Sequence, residues 1–156
     1  MFARTLAPKS LLFAGLALLA ACGGSNPTAP EVQADVVGQA IAAGPWVVST
    51  YAQRTEDKTS DFSNYVFTFT KTSTDAGTVT ATSSKTGVTV NGTWSHQPAV
   101  TYYGSTSKEA MVLSFGAGTP WVKVSKVWNV SSASSSSLSL ASPEVVEDEH
   151  LVFSRQ

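Results

Sequence analysis

One cysteine in 156 residues cannot form an internal disulfide, so no disulfide framework holds this chain together. Histidine is also scarce, with two, and charged side chains make up only 13% of the chain. Ten Lys/Arg stand against eleven Asp/Glu, a net charge of −1, so there is no basic field to hold nucleic acid. The longest uninterrupted apolar or small run is Leu11–Ala21. As a helix it would reach about 16 Å, roughly half of a ~30 Å hydrocarbon core, too short for a stable span. What is plentiful is apolar material: 42% hydrophobic residues and four tryptophans. That is enough for a core and excludes a disordered chain, and the length suits one domain with appendages.

The apolar run is preceded by Arg4 and Lys9 with no acid, and it ends in small residues. That is the pattern of a secretory signal. Leu19-Ala20-Ala21-Cys22 closes it, and this stretch resembles the lipobox of bacterial lipoproteins. The resemblance implies cleavage before Cys22 and acylation of its thiol, which also accounts for a lone cysteine in an exported chain. It further implies a protein tethered to the cell envelope by its lipid anchor. Gly23, not an acid, follows the cysteine, which favours the outer membrane, and the lack of an acidic export tag favours its periplasmic side. Cleavage removes Arg4 and Lys9 and no acid, moving the net charge from −1 to −3. The expected organisation is a signal peptide over 1–21, then a lipidated cysteine, Gly/Ser/Pro linker and short helix over 22–43. A barrel follows over 44–156. The helix is read from apolar spacing within Glu31–Ala42, weakened by Gly38.

From Trp46 onward the apolar period becomes two. The runs Trp46–Ala52, Tyr65–Thr70, Thr78–Ser83, Val88–Ser95, Ala110–Phe115, Lys126–Ser131, Ser136–Ala141 and His150–Arg155 place large apolar side chains at alternate positions. Thr, Ser and Asn fill the positions between, as in strands with one wet face. Ser73–Gly77 and Ser84–Gly87 are short Gly-ended connections suited to hairpins, while Arg54–Asn64, Gln97–Glu109 and Ser142–Glu149 read as longer polar loops. Gly116–Ser125, with Pro120, Trp121 and Val124, reads as a loop or single helical turn covering one end of the core. Eight such strands make an all-β sandwich or an up-and-down barrel, and closure favours the barrel because it removes exposed Thr-rich edges.

Gly44-Pro45-Trp46 opens the first run and resembles the G-x-W motif of lipocalins. Arg155 is the matching candidate for the late arginine that packs on that tryptophan in lipocalins. The rest is similar to lipocalin-like lipoproteins of Bacteroidetes-type bacteria, in Tyr65/Phe67/Phe69, Gly92-Thr93-Trp94, Trp128/Val130 and Leu151/Phe153. The resemblance implies a calycin-type, eight-stranded barrel closed by Gly44, Trp46 and Arg155. The chain departs from the lipocalin pattern in having one residue, Gln156, after Arg155, where lipocalins carry a further helix.

No catalytic constellation stands out: there is no G-x-S-x-G and no Ser-x-x-Lys. His96 and His150 read as solvated residues without a zinc-ligand spacing, and no cofactor or metal is expected. The four acids within Glu144–Glu149 read as a solvated hairpin tip rather than a calcium site. The aromatic residues carry the functional expectation. Tyr65, Phe67, Phe69, Trp94, Phe115, Trp121, Trp128 and Phe153 could line a cavity for a hydrophobic or amphipathic small molecule, or could fill the barrel, since eight strands allow either. In the second case the protein is a non-enzymatic accessory lipoprotein whose loops, with Tyr102-Tyr103 foremost, contact another envelope component. A monomer is expected.

Overall fold

β-branched and aromatic residues at alternating positions build long strands here, and short Gly- or Ser-rich turns join them. The computed structural model describes residues 36–42 and 44–156. The readings that fall on 1–35, among them the signal segment, Leu19, Ala20, Ala21 and Cys22, lie outside the described residues.

In chain order the elements are α1 (Val36–Ile41), β1 (Pro45–Gln53), the two-residue β2 (Glu56–Asp57), a 3-10 turn (Thr59–Phe62), β3 (Tyr65–Lys71), β4 (Ala76–Ser83) and β5 (Thr89–Gln97). There follow β6 (Thr101–Tyr102) and β7 (Ser105–Thr106), which pair only with each other, then β8 (Ala110–Phe115) and α2 (Trp121–Val124). The chain ends with β9 (Val127–Ala133), β10 (Ser137–Ala141) and β11 (Glu149–Arg155). The expected runs differ from the observed long strands by no more than about two residues at either end, the usual scatter of element boundaries.

Each long strand pairs antiparallel with its chain neighbour, in the order β1-β3-β4-β5-β8-β9-β10-β11, and β11 pairs back onto β1. The protein is therefore a closed eight-stranded up-and-down barrel, not a sandwich. The closing seam matches Trp46 with Arg155 and Gln53 with Glu149, with a register shift between Val48 and Thr50. That bulge inserts an extra residue, so the inward series of β1 runs Trp46, Val48, Tyr51 instead of continuing at Thr50.

Because connections alternate between the two ends, the loops fall into two groups. At one end α1 buries Val37 and Ile41, and the Trp46 indole Nε1–H donates to the Ile41 carbonyl at 2.9 Å. The β3–β4, β5–β8 and β9–β10 connections share this end. At the other lie the 3-10 turn, the β4–β5 turn, α2 and the β10–β11 loop. The interior is aromatic and aliphatic throughout, with Trp46, Tyr51, Phe67, Trp94, Trp128 and Phe153 all buried. Two glycines permit close approaches in the wall. A Cβ on Gly77 would lie 1.9 Å from the Thr70 carbonyl oxygen, and one on Gly92 would lie 2.6 Å from that of Ser114.

Candidate functional site

The loop Arg54–Asn64, read as polar from sequence, hides one apolar side chain. Thr59–Phe62 forms a 3-10 turn, and Phe62 turns inward to full burial at the mouth of the barrel. The turn is fixed by Asp57 and Thr59: the Thr59 N–H donates to Asp57 Oδ1 at 2.8 Å, and the Thr59 hydroxyl oxygen accepts from the Tyr51 N–H at 2.8 Å. Across the mouth, α2 presents Trp121 and Val124, both buried, as the sequence expectation of a covering turn requires. Phe62 and Trp121 meet edge to face with ring centres 5.7 Å apart, and Lys123 Nζ reaches Asp61 Oδ2 at 3.7 Å. Two short helical turns thus join over the barrel through an aromatic contact and an ion pair.

Below them the rings continue inward. Phe67 contacts Phe62, Phe115, Trp121 and Phe153 at 5.2–6.3 Å, Phe69 contacts Phe153 at 5.7 Å, and Tyr65 contacts Trp121 at 4.9 Å. Most of these pairs are edge-to-face, the arrangement favoured by ring quadrupoles. Of the eight cavity-lining candidates, Tyr65, Phe67, Phe69, Phe115, Trp121 and Phe153 therefore belong to one self-contacting network. Trp94 and Trp128 stand outside it, each tied to the backbone: Trp94 Nε1 donates to the Thr70 carbonyl at 3.3 Å, and Trp128 Nε1 to that of Val124 at 3.0 Å.

Tyr51 and Phe62, which the sequence reading did not select, complete the network, with ring centres 5.5 Å apart. The Tyr51 hydroxyl is buried and, among the described residues, has no hydrogen-bond partner. Burial first, then the charges of Glu149, Asp61 and Glu147, push its proton affinity far above the ordinary tyrosine value. Neutral Tyr51 is thus an unused donor in the apolar mouth.

Outside the rings, a polar hollow of about 490 Å³ is lined by Gln53, Arg54, Thr55, Glu56, Glu147 and Glu149. Its acids are already engaged. Lys126 binds Glu147 at 2.8 Å and also Glu149, while Gln53 Nε2 donates to Glu149 Oε1 at 2.6 Å. Burial alone would lower the proton affinity of Lys126, but its bonds to Glu147 and Glu149 outweigh this and raise it. The same bond, aided by the Ser142 hydroxyl, holds the Glu147 carboxyl below the usual carboxylate range. Among the described residues no group of three or more His, Cys, Asp or Glu is placed to hold a metal ion.

His96 corrects the sequence reading. It lies within β5 and is 8% exposed, because two distant acids enclose it. Its Nε2 sits 2.7 Å from Glu109 Oε1 and its Nδ1 3.6 Å from Asp75 Oδ1. His150, by contrast, keeps a side chain 56% exposed beside Asp148. At the seam, Arg155 Cζ lies 5.2 Å over the Trp46 ring. Gly44, with φ +140°, leaves the space that the guanidinium occupies.

Among the described residues no helix is long and apolar enough to cross a membrane. Comparison with protein-family models, with curated proteins and with solved structures finds no match to this chain.

Proposed function

We propose that this chain is a non-enzymatic envelope lipoprotein, acylated at Cys22 and held on the periplasmic side of the outer membrane. In this reading its lipocalin-like barrel is filled by its own side chains and serves as a rigid body for the surface elements it carries. The observation behind the filled barrel is the ring network that runs from Phe62 and Trp121 at the mouth down to Phe69 and Phe153. Support for the anchor is the spacing of Leu19-Ala20-Ala21-Cys22 after the apolar run. Titration of the purified full chain with a hydrophobic fluorescent dye tests the filled barrel. No saturable binding is expected, and stoichiometric saturable binding would contradict it.

A second reading rests on Tyr51. A buried hydroxyl left without a partner is costly, by about 1–3 kcal/mol, and a ligand could supply that partner. In this reading the barrel takes an amphipathic small molecule, whose apolar part displaces Phe62 and Trp121 and whose polar group accepts from Tyr51. Mass spectrometry of gently extracted native protein tests it. A bound molecule lost in Tyr51→Phe supports the carrier reading, and unliganded protein sinks it.

A further inference from the structure

The β5–β8 connection carries a small arm that serves no purpose in the barrel core. Its strands β6 and β7 pair only with each other, Thr101 with Thr106 and Tyr102 with Ser105. The reversal runs through Tyr103 at φ 47° and Gly104 at φ 79°, the two successive left-handed residues of a tight type I′ hairpin. Further bonds stiffen it: Thr101 Oγ1 to Thr106 Oγ1 at 2.8 Å, Val100 N–H to Ser107 Oγ at 2.9 Å, and Ser107 N–H to the Val100 carbonyl at 2.9 Å. The root is held as well, since Glu109 binds buried His96 through its side chain and accepts from the Val130 N–H through its carbonyl at 2.8 Å.

This braced arm turns its largest side chains to solvent. Tyr102 is 71% exposed, Tyr103 91% and Val100 57%, and the two tyrosine rings brace each other edge to face at 4.3 Å. A tyrosine with an apolar ring and a polar tip suits the boundary between acyl chains and headgroups, where one end is dry and the other wet. The arm leaves the same barrel end as α1, the described element nearest to Cys22 in the sequence. Thirteen residues separate Cys22 from Val36. At full extension that stretch reaches no more than about 50 Å. The opposite end also exposes apolar side chains, Val88, Val122 and, on the β10–β11 loop, Val145 and Val146, which Glu144, Glu147, Asp148 and Glu149 flank in the sequence. Anionic lipid would repel that loop.

The geometry points to the hairpin Thr101–Thr106 as a foot that rests on the phospholipid surface, with Tyr102 and Tyr103 at headgroup level and the Phe62–Trp121 mouth facing away. This orientation rests on the reading that Cys22 is acylated, and it adds to that reading which end of the barrel meets the lipid.

The test uses the full chain, expressed in a host that acylates lipoproteins and reconstituted in phosphatidylethanolamine/phosphatidylglycerol vesicles. Mass spectrometry of the N-terminal peptide first reports the state of Cys22. With Cys22 capped, Tyr103→Cys and, separately, Val145→Cys each offer a single thiol for a nitroxide label. Collision with a water-soluble nickel chelate should be lost at position 103 on adding vesicles and kept at position 145. Hydrogen exchange of 98–109 in the unlabelled protein, slower with vesicles than without, gives the same reading without substitution. Acylated protein whose position 103 stays open to the chelate, or whose position 145 becomes shielded instead, overturns the foot while leaving the anchor intact. Unmodified Cys22 overturns the anchor, and the orientation with it.

Discussion

Trp46 and Arg155 are register partners across the seam that closes the barrel, and the Arg155 guanidinium lies 5.2 Å over the Trp46 indole. The first and last strands are thus joined by backbone pairing and by a cation–π contact at one point. Arg155→Ala should lower stability by about 0.5–2 kcal/mol, read as the urea midpoint, with Arg155→Lys recovering part of it. A loss within error would show that the stacking adds nothing to the seam.

Gly77 faces a tighter constraint. Its Cα partner is Trp94, whose indole reaches over it to the Thr70 carbonyl. A methyl group at 77 would meet that carbonyl oxygen at 1.9 Å and Trp94 Nε1 at 2.7 Å, and the nearest atom is backbone. Gly77→Ala should therefore cost roughly 3 kcal/mol or more and reduce the soluble yield. Gly116, with open space around it and no left-handed backbone, is the control for handling and expression.

Tyr51→Phe deletes a buried hydroxyl that has no partner among the described residues. The filled-barrel reading predicts a gain of about 1 kcal/mol in denaturant unfolding, because a desolvated donor disappears. The alkaline side carries a second signature. A proton affinity raised in the folded state contributes stability that is complete below the ordinary tyrosine value and is lost as pH rises beyond it. Wild type should weaken above about pH 10, and Tyr51→Phe should weaken less there.

Lys126 clamps the β8–β9 connection to the β10–β11 loop through Glu147 and to the first residue of β11, Glu149. Glu147, with lowered proton affinity, contributes stability above the ordinary carboxylate value, and this is lost as pH falls through the lowered one. Lys126, with raised affinity, contributes below the ordinary lysine value, and this is lost as pH rises through the raised one. The clamp therefore holds from about pH 5 to about pH 10. Lys126→Met should lower the melting temperature inside that window and converge on wild type only below its acid edge, as pH falls through the lowered Glu147 value. A uniform offset at every pH would assign the loss to packing over Trp128, which the Lys126 ammonium overlies at 4.8 Å, rather than to charge.

The strands were legible because a wall with one wet face writes a period of two into the chain, as Tyr65, Phe67 and Phe69 do between Val66, Thr68 and Thr70. Eight strands alone left a sandwich or a barrel, and closure was favoured because it removes exposed Thr-rich edges; six of the eight aromatic candidates meet inside. Three features escaped for physical reasons. Phe62 is a single apolar residue in a four-residue 3-10 turn, too short to show a period. Tyr51 faces inward because a bulge after Val48 shifts the alternation, and bulges follow from tertiary pairing. His96 is buried by Asp75 and Glu109, acids from two separate loops that no local spacing connects to it. The arm did leave a signal, since Tyr103-Gly104 lies between Thr/Ser-rich flanks, but a stretch with both faces in solvent writes no apolar period.

The ring network at the centre of the barrel is tested most directly by proton NMR of the ligand-free protein. Cross-relaxation should connect the Phe67 ring with those of Phe62, Trp121 and Phe153, whose centres lie 5.2–6.3 Å away. It should also connect the backbones of Trp46 and Arg155 across the seam. Phe67 ring protons that contact only solvent or a copurified molecule, with no link to Phe62 or Trp121, would contradict the filled barrel.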